Sequence, residues 1–207
     1  MCSKTLNLIK SRRSIKTYLP REVPEEIICR ILEAARWAPS AHNAQPWRFV
    51  TLREPKIRRK LAEAMANAWA DDMTADGVPP SVCKRLAKDS AERFSNAPVV
   101  IVASITMEDM DKYPDDRRRK IEHTMATQSL AASIQNVLLA AHSEGLGSCW
   151  FCAPLFCQDI TRRVLSAPAD IEPQALITLG YPSDGVSPPS RKPLGEVAFK
   201  DQWGEEI

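Results

Sequence analysis

The spacing of apolar residues along the chain predicts six helices and four strands. Helices are expected at about residues 4–9, 24–39, 55–69, 81–94, 117–143 and 158–167, from helical apolar spacing and proline helix starts. Strands are expected at residues 47–52, 99–105, 148–151 and 174–180, which are short and apolar. No repeat or linker interrupts the pattern, so it predicts one α+β domain over residues 1–207, with an extended tail from about Tyr181.

Two of these segments carry extra information. Val99–Ile105 is apolar at consecutive positions, which is typical of a central strand covered on both faces. The helix from Arg117 to Ser143 begins with basic residues and then becomes rich in alanine and poor in charge. Such a helix is expected to be buried nearly all round, with a second subunit packed against it, and Gly145 can cap its end.

The composition narrows the classes of function. Lys and Arg number 28 against 26 Asp and Glu, so the net charge of +2 does not indicate nucleic-acid binding. The one G-x-G, Gly145–Gly147, lacks the third glycine of a dinucleotide-binding loop. No apolar run reaches the roughly 18 residues of a membrane span, and no export signal is evident, so a cytoplasmic protein is expected. In that compartment cysteines are reduced; the six are Cys2, Cys29, Cys83, Cys149, Cys152 and Cys157.

Cys149 and Cys152 have the C-x-x-C spacing of zinc sites and redox dithiols. Zinc needs further ligands, and only Cys157 lies nearby in sequence. A thioredoxin-like dithiol opens a helix, whereas Pro154 follows closely here. Both roles stay open, but the sequence favours small apolar side chains beside a pocket.

The histidines give no spacing typical of a metal or hydrolase site. His42, His123 and His142 form no H-x-x-x-H pair, and no G-x-S-x-G occurs. Glu122 and His123 are therefore expected at a solvated helix end, and neither a catalytic residue nor a metal ligand is assigned.

Four segments could bind a ligand. Arg12–Lys16 places three cations and a serine within five residues, which suits an anion, although an exposed basic turn is the simpler interpretation of this segment alone. Ala38–Trp47 contains Ser, Asn and Gln side chains that can donate and accept hydrogen bonds along the edge of a planar heterocycle. The other two are Gly145–Trp150 and Ser190–Pro193.

The order and content of these segments resemble the nitroreductase-like flavoproteins. The shared features are an R-x-S-x-[KR] start, a P-S-x-x-N-x-Q-P-W segment, a charge-poor helix ending in G-L-G, and a basic pair near the C-terminus. Within that group the chain is most similar to the C-terminal flavin domain of the mycobacterial ligase that adds glutamates to a deazaflavin coenzyme. Segments such as Ala38–His42, Pro46–Val50, Ala64–Trp69 and Tyr113–Asp115 carry this likeness. The likeness does not extend to the glutamate-adding domain, so ligase activity is not expected.

The resemblance implies an FMN enzyme with a central mixed sheet flanked by helices, and an intertwined homodimer with flavin at the interface. Arg12, Arg13 and Ser14 would hold the phosphate and ribityl chain, and Lys16 would approach the N1 and O2 edge of the ring. Pro39, Ser40, Ala41 and Asn43 would come from the partner subunit. Trp150–Cys152 would pass the N5 side, and Arg191 and Lys192 would complete the phosphate clamp. Many nitroreductases have His where this chain has Arg13. The implied cofactor-binding residues are Arg12, Arg13, Ser14, Lys16, Pro39, Ser40, Ala41, Asn43, Gln45, Trp150, Phe151, Cys152, Arg191 and Lys192.

The leading functional expectation is an FMN-dependent reductase that takes electrons from NADH or NADPH and reduces a nitroaromatic or quinone by a ping-pong mechanism. One alternative is a reductase or binder of the deazaflavin coenzyme or its precursor, for which Arg48, Arg53 or the Arg117–Lys120 run could supply cations. A second is a non-catalytic flavin-binding protein, and a third is a thiol or metal module built on Cys149 and Cys152.

Overall fold

A computed structural model describes residues 3–207, and Met1 and Cys2 lie outside this range. The helices are α1 (Lys4–Ser11), α2 (Glu25–Arg36), α3 (Pro55–Ala75), α4 (Pro80–Ser95), α5 (Asp116–Ser143) and α6 (Gln158–Leu165). The strands are β1 (Trp47–Leu52), β2 (Val99–Ile105), β3 (Gly147–Phe151) and β4 (Glu172–Gly180). Short 3-10 turns occupy Ala41–Asn43, Ala153–Phe156 and Leu194–Glu196. The predicted helices and strands are all present, with ends shifted by a few residues, except that α3 continues to Ala75.

The strands form one sheet in the order β1-β2-β4-β3. All three pairings are antiparallel, and the parallel component expected for a mixed sheet is a single bridge between Ser14 and Ser148. The helical hairpin of α3 and α4 explains the antiparallel direction of β1 and β2. It returns the chain to the end of the sheet where β1 stops, so that Leu52 pairs with Val100.

Helices cover both faces of the sheet, which confirms the interpretation of β2 as a central strand. Ile101, Ala103 and Ile105 face a core shared with α2 and α5. Val100 and Val102 face a second core shared with α3 and α4. Since successive strand residues point to opposite faces, a strand between two helical layers must be apolar at every position.

The long helix α5 is bounded by clear end signals. The Asp115 side chain accepts a hydrogen bond from the Arg118 backbone N–H at 2.9 Å. Gly145 follows the helix with φ +75°, and the Leu146 N–H donates to the Ala141 carbonyl at 2.9 Å. Within one chain α5 is not buried all round. Gln128 and Gln135 are exposed, and Ala131 between them is half-buried. The cause is that α2 and the sheet cover only one side of α5, leaving a stripe of small and amide side chains outside.

The chain after β4 is exposed. Bridging contacts tie residues 181–183 to the strand-like segment before α2, including the Leu19 N–H donated to the Tyr181 carbonyl at 2.9 Å. Among the described residues, those beyond Asp184 form hydrogen bonds and ion pairs only with other residues of the tail. Across residues 3–207, no helix combines the length and apolar character needed to cross a bilayer.

Candidate active site

The segment Arg12–Lys16, here called the basic corner, is fixed against strand β3. The Ile15 N–H donates to the Ser148 carbonyl at 3.0 Å, and the Ile15 side chain is buried. A Cβ at Gly147 would lie 2.6 Å from the Cβ of Ile15, so only glycine allows this approach. The second glycine of the G-L-G motif is therefore explained by packing of the basic corner on β3.

The cations of the basic corner differ in how they are held. Arg13 Nη1 donates to the carbonyls of Lys10 and Arg12 at 2.7 and 2.8 Å, at the C-terminal end of α1. The Lys16 Nζ lies 5.9 Å from the centre of the Phe151 ring. Across residues 3–207, no ion pair or side-chain hydrogen bond engages the head groups of Arg12 and Lys16. Their charge is therefore available to an anionic ligand.

The positive charge of the basic corner affects the pKa values of two nearby side chains, His142 and Cys149. Burial, followed by the nearby Arg12 and Arg13, lowers the pKa of His142, whose Nε2 lies 2.7 Å from Ser11 Oγ. Burial raises the pKa of the Cys149 thiol, while Lys16, Ser14, Arg12 and Arg93 oppose that rise. Arg93 lies on α4 and belongs to no sequence motif, so sequence reasoning missed this cation.

A cleft of about 520 Å³ adjoins the basic corner. Its walls come from Lys16 and the two residues after it, and from the second half of α4 and the residues just beyond. They are Lys16, Thr17, Tyr18, Asp89, Glu92, Arg93, Asn96 and Ala97. Two larger clefts of about 800 Å³ open elsewhere, between α3 and α4 and around Arg53, and neither contains a predicted cofactor-binding residue. The cleft of about 520 Å³ is therefore the candidate site, because Lys16 and Arg93 line it.

Trp150, Phe151 and Cys152 lie at the end of β3, close to Lys16 of the basic corner. β3 is an edge strand, and in the described chain its outer side pairs only with the basic corner. The Phe151 ring meets the buried Phe94 ring edge-on, with centroids 5.0 Å apart. This contact holds the strand end, and beyond the bridge the outer edge of β3 leaves the backbone groups of Trp150 without a strand partner among the described residues.

The segment Pro39–Gln45, here called the polar segment, is built on a strained turn. His42, Asn43 and Gln45 have φ angles of 55°, 53° and 47°, a left-handed conformation that is uncommon outside glycine. The Ala41 N–H donates to Ser129 Oγ and the Gln45 N–H to Ser40 Oγ, both at 3.1 Å. Such a strained turn, held by α5, is typical of ligand-binding backbone.

One chain does not bring the polar segment and the basic corner together. The polar segment is anchored at Ser129 and the basic corner at His142, through the Ser11 contact. These positions on α5 are separated by about 20 Å at a rise of 1.5 Å per residue. The predicted site residues therefore fall into two groups at different places along one helix.

The tail cations form a third group. Arg191 and Lys192 are exposed, and their contacts are with Ser190 at 3.2 Å and Glu196 at 4.0 Å. The structure does not place them beside the basic corner.

The cysteines of the C-x-x-C motif have different surroundings. Cys149 is 4% exposed within the sheet, whereas Cys152 is exposed at the end of β3. Within residues 3–207, the one group of three side chains that could hold a metal ion contains no cysteine and consists of His42, Asp111 and Glu122. Glu122, expected at a solvated helix end, is buried, because the loop after β2 and the polar segment fold over the first turns of α5.

Comparison with known proteins decides the family. The profile of the Nitroreductase family matches residues 9–181, which include the basic corner, the polar segment and β3. The chain belongs to the nitroreductase family. Arg191 and Lys192 lie beyond the matched span.

Individual relatives of this nitroreductase-family chain agree. A protein of Methanothermobacter thermautotrophicus, provisionally named NADH dehydrogenase/NAD(P)H nitroreductase, is 35% identical over 181 residues, covering 86% of this chain and 78% of the relative. The crystal structure of a BluB-like flavoprotein from Clostridium difficile 630 superposes with a TM-score of 0.80 at 25% identity, covering 97% of this chain and 100% of the other. A provisionally assigned nitroreductase from Desulfovibrio desulfuricans, solved in complex with FMN, gives a TM-score of 0.73 at 27% identity, covering 98% and 99%.

Proposed function

We propose that the protein is an FMN-dependent oxidoreductase that takes electrons from NADH or NADPH and passes them to a small electron-poor acceptor. The observation that carries the proposal is the docking of the basic corner on β3 in a chain of the nitroreductase family. The Ile15 N–H meets the Ser148 carbonyl at 3.0 Å, and the Lys16 Nζ lies 5.9 Å from the centre of the Phe151 ring. A relative of the same family was solved with FMN, and another bears an NAD(P)H nitroreductase name.

The basic corner suits the phosphate end of FMN. Arg12 supplies a guanidinium fork and Ser14 an exposed hydroxyl donor, and the remaining N–H groups of Arg13 stay close by. Among the described residues, no carboxylate forms an ion pair with these three side chains. A dianionic phosphate would therefore meet positive charge that the protein itself does not neutralise.

The neighbouring groups suit the isoalloxazine ring. A cation at the N1 and O2 edge stabilises the negative charge of a reduced flavin, and Lys16 beside Phe151 is positioned to be that cation. The backbone N–H groups of Trp150 and Cys152, on the same side of β3 as the Ser148 carbonyl that meets the basic corner, can orient the N5 side. When bound, FMN supplies the hydride-accepting and electron-donating chemistry.

The protein's own residues need to bind, orient and exclude water, and no strong acid or base is required. In the ping-pong cycle that we propose, the nicotinamide donor leaves before the acceptor binds over the same face of the ring. This explains why no catalytic triad is needed.

The polar segment would complete the site in a homodimer. Because it lies about 20 Å along α5 from the basic corner, it serves a site on another copy more readily than its own. The open stripe of Gln128, Ala131 and Gln135 offers the second copy a surface that a backbone can approach closely. In such a dimer Ser40, Asn43 and Gln45 of one subunit would border the flavin held by the other.

The charges around α5 favour a small acceptor over a deazaflavin coenzyme with an acidic tail. Arg53 pairs with Glu22 at 2.5 Å and Arg48 with Glu108 at 3.6 Å, while Arg118 and Arg119 pair with Asp115 and Asp116. These cations already have acidic neighbours. We therefore propose a quinone or nitroarene as the acceptor and place deazaflavin chemistry second.

The test begins with the absorption spectrum of the purified protein, with and without added FMN. We expect a flavin spectrum and oxidation of NADH or NADPH that depends on a quinone or nitroarene. A protein that binds no FMN would overturn the proposal, and FMN binding without turnover would make it a flavin-binding protein. Tight, salt-sensitive binding of the deazaflavin coenzyme with poor nicotinamide oxidation would reverse the order of acceptors.

A further inference from the structure

Three side chains from separate parts of the chain meet beside the polar segment. His42 comes from the 3-10 turn, Asp111 from the loop after β2, and Glu122 from the second turn of α5. The His42 Nε2 lies 3.5 Å from Glu122 Oε1 and 3.9 Å from Asp111 Oδ2. One ligand atom from each side chain lies within 4.8 Å of the other two.

Glu122 is a buried carboxylate that, within the described chain, lacks a hydrogen-bond partner for one of its oxygens. It is 4% exposed, and its buried Oε2 has no hydrogen-bond partner among the described residues. A buried carboxylate without partners is costly, and proteins that keep one usually pair it with a cation or a metal. The contact with His42 at 3.5 Å leaves this oxygen unsatisfied.

The backbone of His42 also indicates a constrained position. His42 adopts φ 55°, and its exposed side chain approaches Glu122, with Nε2 3.5 Å from Oε1. A histidine in the left-handed region needs surroundings that maintain it. A bond from its imidazole to a bound ion would be one such restraint.

The distances fit a small divalent ion. Ligand bonds of about 2.1 Å in tetrahedral geometry set the ligand atoms about 3.4 Å apart. The distances from His42 to Asp111 and to Glu122 are near this value. The side chains of His42 and Asp111 are exposed, so they can move to shorten any ligand–ligand distance that is longer. One imidazole with two carboxylates suits Zn²⁺ or Mn²⁺, whereas Ca²⁺ and Mg²⁺ take oxygen ligands.

We propose that His42, Asp111 and Glu122 bind a divalent transition-metal ion, with water in the open coordination positions. Two carboxylates and a neutral imidazole balance the charge of the ion. Lys112, Arg119 and His123 line the same cavity of about 320 Å³, and the His123 Nε2 lies 2.8 Å from Glu172 Oε2. Arg119 is already engaged with Asp116 and with the Pro114 carbonyl at 2.8 Å.

The ion would tie the loop after β2 to the polar segment. Its binding would hold the left-handed turn at His42 and Asn43, and hence the backbone that we propose faces the partner's flavin. The metal site itself rests on the three ligands alone and does not require that flavin binds.

The experiment is a calorimetric titration of the full-length, flavin-loaded protein with Zn²⁺, and with Mn²⁺ in parallel, after removal of metals by a chelator. We expect one ion per chain and a higher thermal unfolding midpoint with Zn²⁺. Asp111→Asn, an exposed change, and Glu122→Gln, a change of the same shape, should each weaken binding by about 10-fold or more. His142→Ala is the matched control, because it removes an imidazole at the other end of α5, where the His142 Nε2 meets Ser11 Oγ at 2.7 Å.

The titration separates the proposal from its competitors. No Zn²⁺ or Mn²⁺ binding would overturn it and would leave a protonated His42 or Lys112 as the partner of Glu122. Zn²⁺ binding unchanged in Asp111→Asn would also overturn it, since the ion would then be held elsewhere, for instance by exposed thiols. A midpoint that rises with Zn²⁺ in Asp111→Asn as much as in wild type would lead to the same conclusion.

Discussion

The basic corner and the polar segment are organised by the same helix in different ways. The basic corner meets the C-terminal end of α5 and packs on β3 through Ile15 and Gly147. The polar segment meets the middle of α5 and holds a strained turn through Ser129. One group offers charge and the other offers uncharged polar groups, and within one chain they stay apart.

This difference indicates how a cofactor site can be built from rigid halves. Each half is fixed by contacts inside its own chain, so neither has to order when a ligand binds. In the homodimer that we propose, a second copy of the chain would bring unlike halves together, and the outer stripe of α5 would be the surface for that approach. The tail with Arg191 is the contrasting case, because its contacts are local.

The largest effect is expected when the two halves are separated. Ala131→Glu places a charge in the middle of the outer stripe of α5, where a single chain tolerates it but a packed partner does not. We expect a monomer in light scattering and a loss of FMN affinity of more than about 100-fold, because a buried unpaired charge is strongly destabilising. Ala75→Glu, at an exposed alanine of α3, is the control and should remain dimeric. A flavin-loaded wild-type monomer at micromolar concentration would contradict the dimer.

The next effect tests the basic corner against the tail. Arg12→Ala removes charge-assisted hydrogen bonds and should weaken FMN binding by about 10- to 150-fold in a fluorescence titration. Arg191→Ala should weaken FMN binding less than Arg12→Ala does. The conformational entropy lost when the exposed tail becomes ordered would offset part of the binding energy of its contacts.

Arg85→Ala removes the same side chain from an exposed position on α4 and should leave FMN affinity unchanged. Unaltered affinity in Arg12→Ala would refute the assignment of the phosphate to the basic corner.

A smaller effect distinguishes packing from redox chemistry at β3. Cys149→Ser puts a hydroxyl into the sheet interior and should lower the free energy of unfolding by about 1–3 kcal/mol. Cys152→Ser is exposed and should change stability little. The double variant should keep FMN and most NAD(P)H oxidation. Loss of activity with FMN still bound would assign the thiols a redox role.

The smallest effect is the pH dependence at His142. Burial and the nearby Arg12 and Arg13 hold its folded-state pKa below the ordinary 6.5. The folded protein therefore binds fewer protons than the unfolded chain near that pH, so stability is full above about pH 6.5 and falls as the pH drops below it.

Urea unfolding at about pH 7.5 and pH 5.5 measures this. His142→Gln should lose less stability on acidification than wild type. Bound FMN should reduce the difference, because its phosphate would counter the arginines. An identical pH response in wild type and His142→Gln would contradict the predicted shift.

The fold could be predicted from local patterns because most of its elements are amphipathic or uniformly apolar. The continuous apolar run of β2 indicates two covering layers, and the proline starts and Gly145 mark helix ends. Strand direction was harder to predict, since nothing local in the sequence states that the α3–α4 hairpin returns β2 antiparallel to β1.

The candidate site could be predicted only where it follows sequence motifs. The structure brings Lys16 close to Phe151, because β3 pairs with the basic corner at Ser14 and Ser148. Arg93 was missed because its place beside Cys149 depends on how α4 packs. Glu122 was misplaced because burial of a charged side chain near a helix start arises from a loop folded over it, which no spacing reveals.

The most direct test of the account is complementation between two inactive variants. One variant carries Arg12→Ala and Arg13→Ala in the basic corner, and the other carries Ser40→Ala and Asn43→Ala in the polar segment. Each alone should bind FMN poorly. When they are co-expressed, mixed dimers contain one site with both halves intact, so about a quarter of the wild-type FMN and NAD(P)H-oxidising activity should return. Recovery no greater than the two variants measured separately would contradict a site shared between two chains.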